Sequence, residues 1–191
     1  MADNRILIPP SGYDAVANPR IASFAAQLDD QLARLLKSVD ALDVAQLEWQ
    51  PRAGCNTIGM LLAHLAVVDV WWISIAPTGA TPGPATDAVF RSVIGIGMDD
   101  DGLPCPPEGG HPASLSGCGL SDYAAMLHAA RASTNTVMRT WRDADLATTY
   151  RLRDRDISYE WTIYHVLEHF ASHYGQVLLL LHLLRQPGPP A

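Results

Sequence analysis

The chain of 191 residues is 48% hydrophobic and carries 13 lysines and arginines against 20 aspartates and glutamates, a formal net charge of -7. This length suits one domain over 1–191, with a core large enough to fold without a metal or disulfide staple. The acidic balance argues against a nucleic-acid-binding protein, which needs a basic patch to attract phosphates.

The three cysteines, Cys55, Cys105 and Cys118, are far apart and form no C-x-x-C pair. This pattern is typical of a protein in a reducing, cytoplasmic setting that has no disulfide framework. A single Cys105–Cys118 bridge is the alternative interpretation.

Residues 1–18 are predicted to form an irregular arm, because Pro9, Pro10 and Gly12 interrupt any regular element. The arm lacks the basic segment and the apolar stretch of a signal peptide. From Ile21 to about Leu42, apolar residues recur at the spacing of one helix face, which predicts a first, amphipathic helix.

A second helix is predicted from Thr57 to about Ile75, with Asn56 as its N-cap. It is apolar almost all round, which places it centrally in the fold. Thr57–Ala76 is also long enough to cross a membrane. However, His64 and Asp69 would be costly in lipid and the stretch lacks basic flanks, so we expect no membrane span.

Residues 76–120 hold more than half of the glycines and prolines of the chain and are predicted to be a long loop, with a short helix at Asp87–Ile94 as an option. A third helix is predicted from about Asp122 to Asp143, because apolar residues again recur at the helical period.

Residues 146–160 alternate polar and apolar side chains, which favours a short hairpin. A fourth helix is predicted from about Trp161 to Leu184, followed by a loose tail at 186–191 that is rich in proline. Four helices predict an all-α fold, a four-helix bundle with a long Pro/Gly-rich insertion between its second and third helices.

Three histidines, His165, His169 and His173, recur four residues apart on the fourth predicted helix. Side chains at i and i+4 share a helix face, so two such imidazoles can bind one metal ion. A further imidazole, His64, interrupts the apolar second helix. Each of these alone is more often a satisfied core or surface histidine. Together they predict a metal site with His64, His169 and His173 as ligands.

His165 points about 80° away from His173 on a helical wheel, which favours a pocket-lining role over a ligand role. Glu168 is either a base or an orienting partner at the site, or a solvated charge on the helix face. Gln176 extends the stripe of His173 and is expected to hydrogen-bond near the site. Asp69 could pair with a ring N–H or bond at a subunit surface.

The other three histidines are interpreted as loop or surface residues: His111, His128 and His182. Three neutral imidazoles suit a divalent metal such as zinc or nickel, and also iron or copper. Three protein ligands leave a position for water or substrate, as in catalytic sites. There the ion would acidify a bound water or hold a substrate thiol as its thiolate.

Two segments resemble the DinB-like (DinB/YfiT) superfamily of metal-dependent enzymes: LEWQPRAGCNTIGMLLAHL at Leu47–Leu65 and HVLEHFASHYGQ at His165–Gln176. The resemblance covers most of the chain. It implies an up-down-down-up four-helix bundle, a zinc or nickel site, and a homodimer. His64 would match the first ligand of the family, and His169 and His173 its HxxxH pair. The insertion at 76–120 departs from the family pattern.

Characterised relatives in that superfamily include transferases that use bacillithiol or mycothiol, and a mycothiol-dependent isomerase. The resemblance therefore implies an enzyme that activates a small-molecule thiol as a metal-bound thiolate for attack on an electrophile. A second hypothesis is a non-catalytic, stress-associated bundle whose ion is structural. A third is a metal-free bundle in which the histidines form a hydrogen-bond network.

Overall fold

The computed structural model describes residues 7–186, so the first six residues of the predicted arm and the last five of the predicted tail lie outside the described residues. The described part is mostly helical. It contains helices α1 to α6 and strands β1 and β2, in this order: α1 (Pro19–Val39), α2 (Val44–Leu47), α3 (Ile58–Asp69), α4 (Pro84–Ile94), α5 (Leu120–Met138), β1 (Thr149–Leu152), β2 (Arg155–Ser158) and α6 (Tyr159–Leu184).

The four long helices pack around a common apolar core. Helix α1 contacts α5 and α6, and α3 contacts the same two helices from the other side. The amphipathic pattern of α1 buries Ile21, Leu28 and Leu35 completely. In α3, by contrast, every residue except His64 is buried, as expected for a helix that is apolar all round.

Helix α3 begins one residue later than the sequence suggested. Thr57, not Asn56, is the N-cap, and its hydroxyl accepts a hydrogen bond of 3.0 Å from the Met60 N–H. Both residue types satisfy the free N–H groups of a first turn, so the sequence alone cannot choose between neighbouring caps.

A π-helix, Val70–Ile75, and a 3-10 turn, Ala76–Thr78, continue α3 without a break. In this segment the Ala76 N–H donates to the Trp71 carbonyl, five residues back. The whole run Ile58–Thr78 is long and apolar enough to cross a membrane, but 83% of its most apolar window is buried inside the protein. That burial is typical of a core helix.

The predicted long loop at 76–120 is not irregular throughout. Helix α4 begins three residues before the short helix that the sequence offered as an option, and Ala113–Leu115 forms a 3-10 turn. Phe90 and Ile94 on α4 are buried in the same apolar cluster as α3 and α5. The insertion is therefore anchored to the main core by part of its own helix.

The third and fourth predicted helices shift at their ends. Helix α5 ends at Met138, five residues before the predicted end, because Thr140 and Trp141 close tighter i to i+3 turns. Helix α6 begins two residues early, where the Ser158 hydroxyl accepts a hydrogen bond from the Trp161 N–H at 3.1 Å.

Strands β1 and β2 form the predicted hairpin between α5 and α6. They are antiparallel, and Leu152 lies opposite Arg155, which leaves Arg153 and Asp154 as a two-residue turn. Arg153 has φ 55°, in the left-handed region. The three cysteines are free thiols, so the alternative Cys105–Cys118 bridge is absent from the described residues.

Candidate metal centre

Three imidazoles from two helices converge on one point. His64 lies in the middle of α3, and His169 and His173 lie one turn apart on α6. The Nε2 atom of His169 is 3.2 Å from Nε2 of His64 and 3.1 Å from Nε2 of His173. The candidate ligand atoms of the three residues all lie within 4.8 Å of one another.

These separations fit the donor set of a small divalent ion. Nitrogens bound to a tetrahedral ion at about 2.0–2.1 Å lie about 3.3 Å apart. The two observed contacts of His169, at 3.2 and 3.1 Å, are close to that value. The three residues are the ones that the sequence proposed as ligands, and the structure brings them together.

The outer ring nitrogens show which way the lone pairs face. The Nδ1–H of His64 donates to a carboxylate oxygen of Asp101 at 2.8 Å, and the Nδ1–H of His173 donates to the amide oxygen of Gln176 at 3.3 Å. A neutral imidazole has one N–H, so both bonds leave Nε2 unprotonated and aimed at the centre. Metal-binding histidines are held in this way by their outer partners.

The central imidazole, His169, is protected from protonation. Burial lowers its pKa to about 3, and the neighbouring rings of His173 and His64 add to the effect. The pKa of His173 is also lowered, again mainly by burial. A proton on Nε2 of His169 could form a hydrogen bond with only one of its two close neighbours, whereas one metal cation could be bound by all three nitrogens. The chemistry of this donor set therefore fits a divalent ion.

Asp101 is a site residue that the sequence analysis missed. It lies in the insertion, after α4, and is only 2% exposed. Its second oxygen accepts a hydrogen bond from the Leu103 N–H at 2.9 Å. The one sequence signal is the run Asp99–Asp101, which resembles a solvated turn, and nothing in it indicates contact with a helix 37 residues earlier.

His165 lies beside the cluster and not in it. Its ring stacks on Trp161, with centroids 4.6 Å apart and planes 10° apart, and meets the edge of Trp72 at 4.8 Å. Its centroid is 5.9 Å from that of His169. Glu168 is exposed and its carboxylate faces His165 at 3.6 Å. Glu168 therefore lies at the margin of the site, next to a neighbour of the cluster.

The expectation for Asp69 was wrong. Asp69 does not pair with a ring N–H. It is buried and forms an ion pair with the Arg131 guanidinium at 2.7 Å, and burial raises its pKa to about 6 despite that partner. His111 lies in a loop, one of the two places expected for it, but its side chain is only 9% exposed and its Nδ1 lies 2.8 Å from the Thr57 hydroxyl.

A cleft of about 1030 Å³ lies next to the cluster. His165 lines it, so this ring separates the cleft from the three converging nitrogens. His64 is partly open as well, with 20% of its side chain exposed. The cluster is therefore not fully closed to solvent at His64.

Comparison with known proteins gives a family and a fold. The sequence model described as the DinB superfamily matches residues 27–177, a range that contains the three histidines, Asp101 and Gln176. A crystal structure of a DinB-like protein from Bacillus cereus matches with a TM-score of 0.53 and 18% identity, over 88% of this chain and 95% of that one. The search of curated proteins found no match.

Proposed function

Because the chain belongs to the DinB superfamily, we propose that it binds one divalent metal ion through His64, His169 and His173. The observation that carries the proposal is the orientation of the imidazoles. Two of them are fixed by Asp101 and Gln176 so that their Nε2 lone pairs face Nε2 of His169. Three neutral imidazoles favour zinc or nickel, with iron as a further candidate.

Metal content tests this proposal directly. We expect the protein, purified without a polyhistidine tag, to retain about one ion per chain by mass spectrometry, as expected for a three-ligand site. His169→Ala removes the central ligand and should lose the ion. His182→Ala is the matched control, because His182 is an exposed histidine on the same helix. An absence of stoichiometric metal in the wild-type protein would overturn the proposal.

We further propose that the site is catalytic and acts on a small-molecule thiol of the bacillithiol or mycothiol type. A divalent ion in this position supplies Lewis acidity, which favours the deprotonated form of a thiol ligand. The chain contributes the open side at His64, the neutral imidazoles and the cleft lined by His165. In the transfer, the thiol sulfur bonds to an electrophilic carbon, the bond from that carbon to its leaving group breaks with the electron pair on the leaving group, and the thiol proton passes to solvent. In an isomerase that uses the thiol as a cofactor, the sulfur instead adds to a carbon–carbon double bond and is released when that double bond re-forms.

A structural ion is the second candidate function. The supporting observation is that the cluster joins three parts of the chain, α3, α6 and the insertion, through His64 and Asp101. Chelation separates the two functions. A large fall in melting temperature without any thiol-dependent activity would favour a structural ion. Thiol-dependent conjugation of a model electrophile that stops on chelation would favour the enzyme.

We also infer that the four long helices form the up-down-down-up bundle that the resemblance implies. Two contacts between α1 and α6 support this topology, because Arg20 pairs with Glu160 and Ser38 with Tyr174, so the two helices run parallel.

A homodimer is proposed through the outer face of α6, where Tyr164, Leu178 and Leu179 are exposed apolar side chains. Light scattering tests it, and Leu179→Glu should convert the dimer to a monomer.

A further inference from the structure

The cleft next to the cluster has two walls of different chemistry. One wall is aromatic and comes from the π-helix and the start of α6. The other is cationic and comes from the hairpin. A cleft of about 1030 Å³ with apolar walls and a few polar groups is typical of small-molecule sites.

The aromatic wall is a packed group of three rings. Trp161 stacks on His165 at 4.6 Å, and Trp72 meets Trp161 edge-on at 5.4 Å. Trp161 is nevertheless 40% exposed, an unusual position for so large an apolar side chain. A flat ligand that covers this ring would bury apolar surface and stack on a π-face.

The π-helix contributes side chains to the aromatic wall. It includes Trp71 and Trp72, and both residues line the cleft. A π-helical turn changes the direction of the side chains that follow it, and such turns are frequent at functional sites. The unusual backbone and the aromatic wall are therefore found at the same place.

The hairpin wall, called cationic here for its net charge of +1, carries three arginines, Arg151, Arg153 and Arg155, and two aspartates, Asp154 and Asp156. Arg151 pairs with Asp156 at 3.2 Å. Within residues 7–186, neither Arg153 nor Arg155 makes an ion pair with a carboxylate, and both are exposed. In a chain with a net charge of -7, this wall has a small positive excess, which lies at Arg153 and Arg155.

Arg153 also occupies an unfavourable backbone position. It is the first residue of the two-residue turn and has φ 55°, where a side chain is disfavoured and glycine is the common choice in such turns. An arginine at this position has a conformational cost that glycine would not have. Anion binding at the cleft would explain why an arginine is found there.

We propose that this cleft binds a planar aromatic or conjugated molecule that carries an anionic group. The flat body lies on Trp161 and the anion faces Arg153 and Arg155, since a guanidinium pairs well with a carboxylate. His165 then separates the ligand from the three histidines by one ring. The inference rests on the proposed function only where this ligand is taken as the electrophilic substrate.

The test compares three probes with one ring system and different charges: 2-naphthoate, 2-naphthamide and 2-naphthylmethylammonium. Binding is measured by calorimetry on the metal-free and the metal-loaded protein. We expect 2-naphthoate to bind about tenfold or more tightly than the other two in both forms, because two cations face the ligand. Equal affinity for the three probes would overturn the proposal.

Variants test whether the ligand binds to the hairpin arginines and to Trp161. Arg153→Ala with Arg155→Ala should remove the preference for 2-naphthoate, whereas Arg52→Ala with Arg185→Ala removes two exposed arginines elsewhere and should keep it. Trp161→Ala should weaken all three probes and Trp161→Phe should restore much of the binding. If the hairpin variant and its control behave alike, the assignment is wrong.

Activity and binding fail independently in this design. If 2-naphthoate binds with the expected preference but no thiol-dependent reaction occurs, the proposed enzymatic function is wrong and the proposed ligand-binding role of the cleft is supported. If the reaction occurs and no charge preference is found, the cleft assignment alone is wrong.

Discussion

The contact between Asp101 and His64 fixes the tautomer of the His64 imidazole, the proposed ligand on α3. The carboxylate is buried and accepts hydrogen bonds from the His64 ring and from the Leu103 amide at once. Its negative charge makes the imidazole a better donor to a metal. Metal affinity should therefore depend on a residue that does not itself contact the metal.

Asp101→Asn tests this dependence. The amide has a single acceptor oxygen and no charge, so it cannot serve both N–H groups as the carboxylate does. We expect metal affinity to fall about tenfold or more, as for other partners that orient ligands. Competition against a chromophoric chelator measures the change. Asp99→Asn is the control, because Asp99 is exposed in the same turn, and a loss of equal size there would contradict the role of Asp101.

Acid should destabilise the metal-free protein through His169. The pKa of His169 is lowered from 6.5 to about 3 in the folded protein. Below pH 6.5 the unfolded chain takes up a proton that the folded chain refuses. The stability associated with this group is therefore present above pH 6.5 and is lost progressively as the pH falls towards 3.

Melting temperatures of the metal-free protein between pH 7.5 and 4.5 measure this effect. His169→Gln should flatten the profile, whereas His182→Gln on the same helix should leave it unchanged. A wild-type profile as flat as that of His169→Gln would show that His169 does not make the protein sensitive to acid.

Among the secondary-structure elements, the sequence predicted the long helices, whose apolar residues recur periodically. It did not predict the π-helix or the path of the insertion. The spacing of apolar residues located α1, α5 and α6 to within a few residues, because burial of one face determines it. The π-helix at Val70–Ile75 has no such signal, since its extra residue per turn depends on packing and not on composition. The pairing of Asp101 with His64 depends on the path of the insertion across the core.

Replacement of Arg153 by glycine should raise the free energy of unfolding. Arg153→Gly removes a side chain from a left-handed position, which costs about 1–2 kcal/mol, and adds the flexibility of glycine, which costs about 0.5–1 kcal/mol. We expect the variant to be more stable by about 0–1.5 kcal/mol on that balance. Chemical denaturation measures the change.

Arg155→Gly is the matched comparison for that variant. Arg155 pairs with Leu152 in the extended backbone of β2, where glycine only weakens the strand. The Arg155→Gly variant should therefore be less stable than the wild-type protein. If both variants are destabilised, the conformational cost assigned to Arg153 is wrong.

At the scale of the molecule, the cluster joins the helical core to the insertion. His64 contacts His169 on one side of its ring and Asp101 on the other, so a single imidazole links α6 to the segment that follows α4. A metal that fixes the His64 ring would also fix its bond to Asp101. Ion binding at the core should therefore stabilise part of the insertion that does not contact the ion.

Hydrogen exchange can detect this coupling. The amides of Gly97, Gly102 and Leu103 donate within the turn that presents Asp101. Zinc added to the metal-free protein should slow their exchange several-fold, because local opening must then break the bond to a fixed ring. Asp101→Asn should abolish this effect while exchange in the centre of α6 still slows. Equal protection of the turn in the variant would show that the insertion is ordered independently of His64.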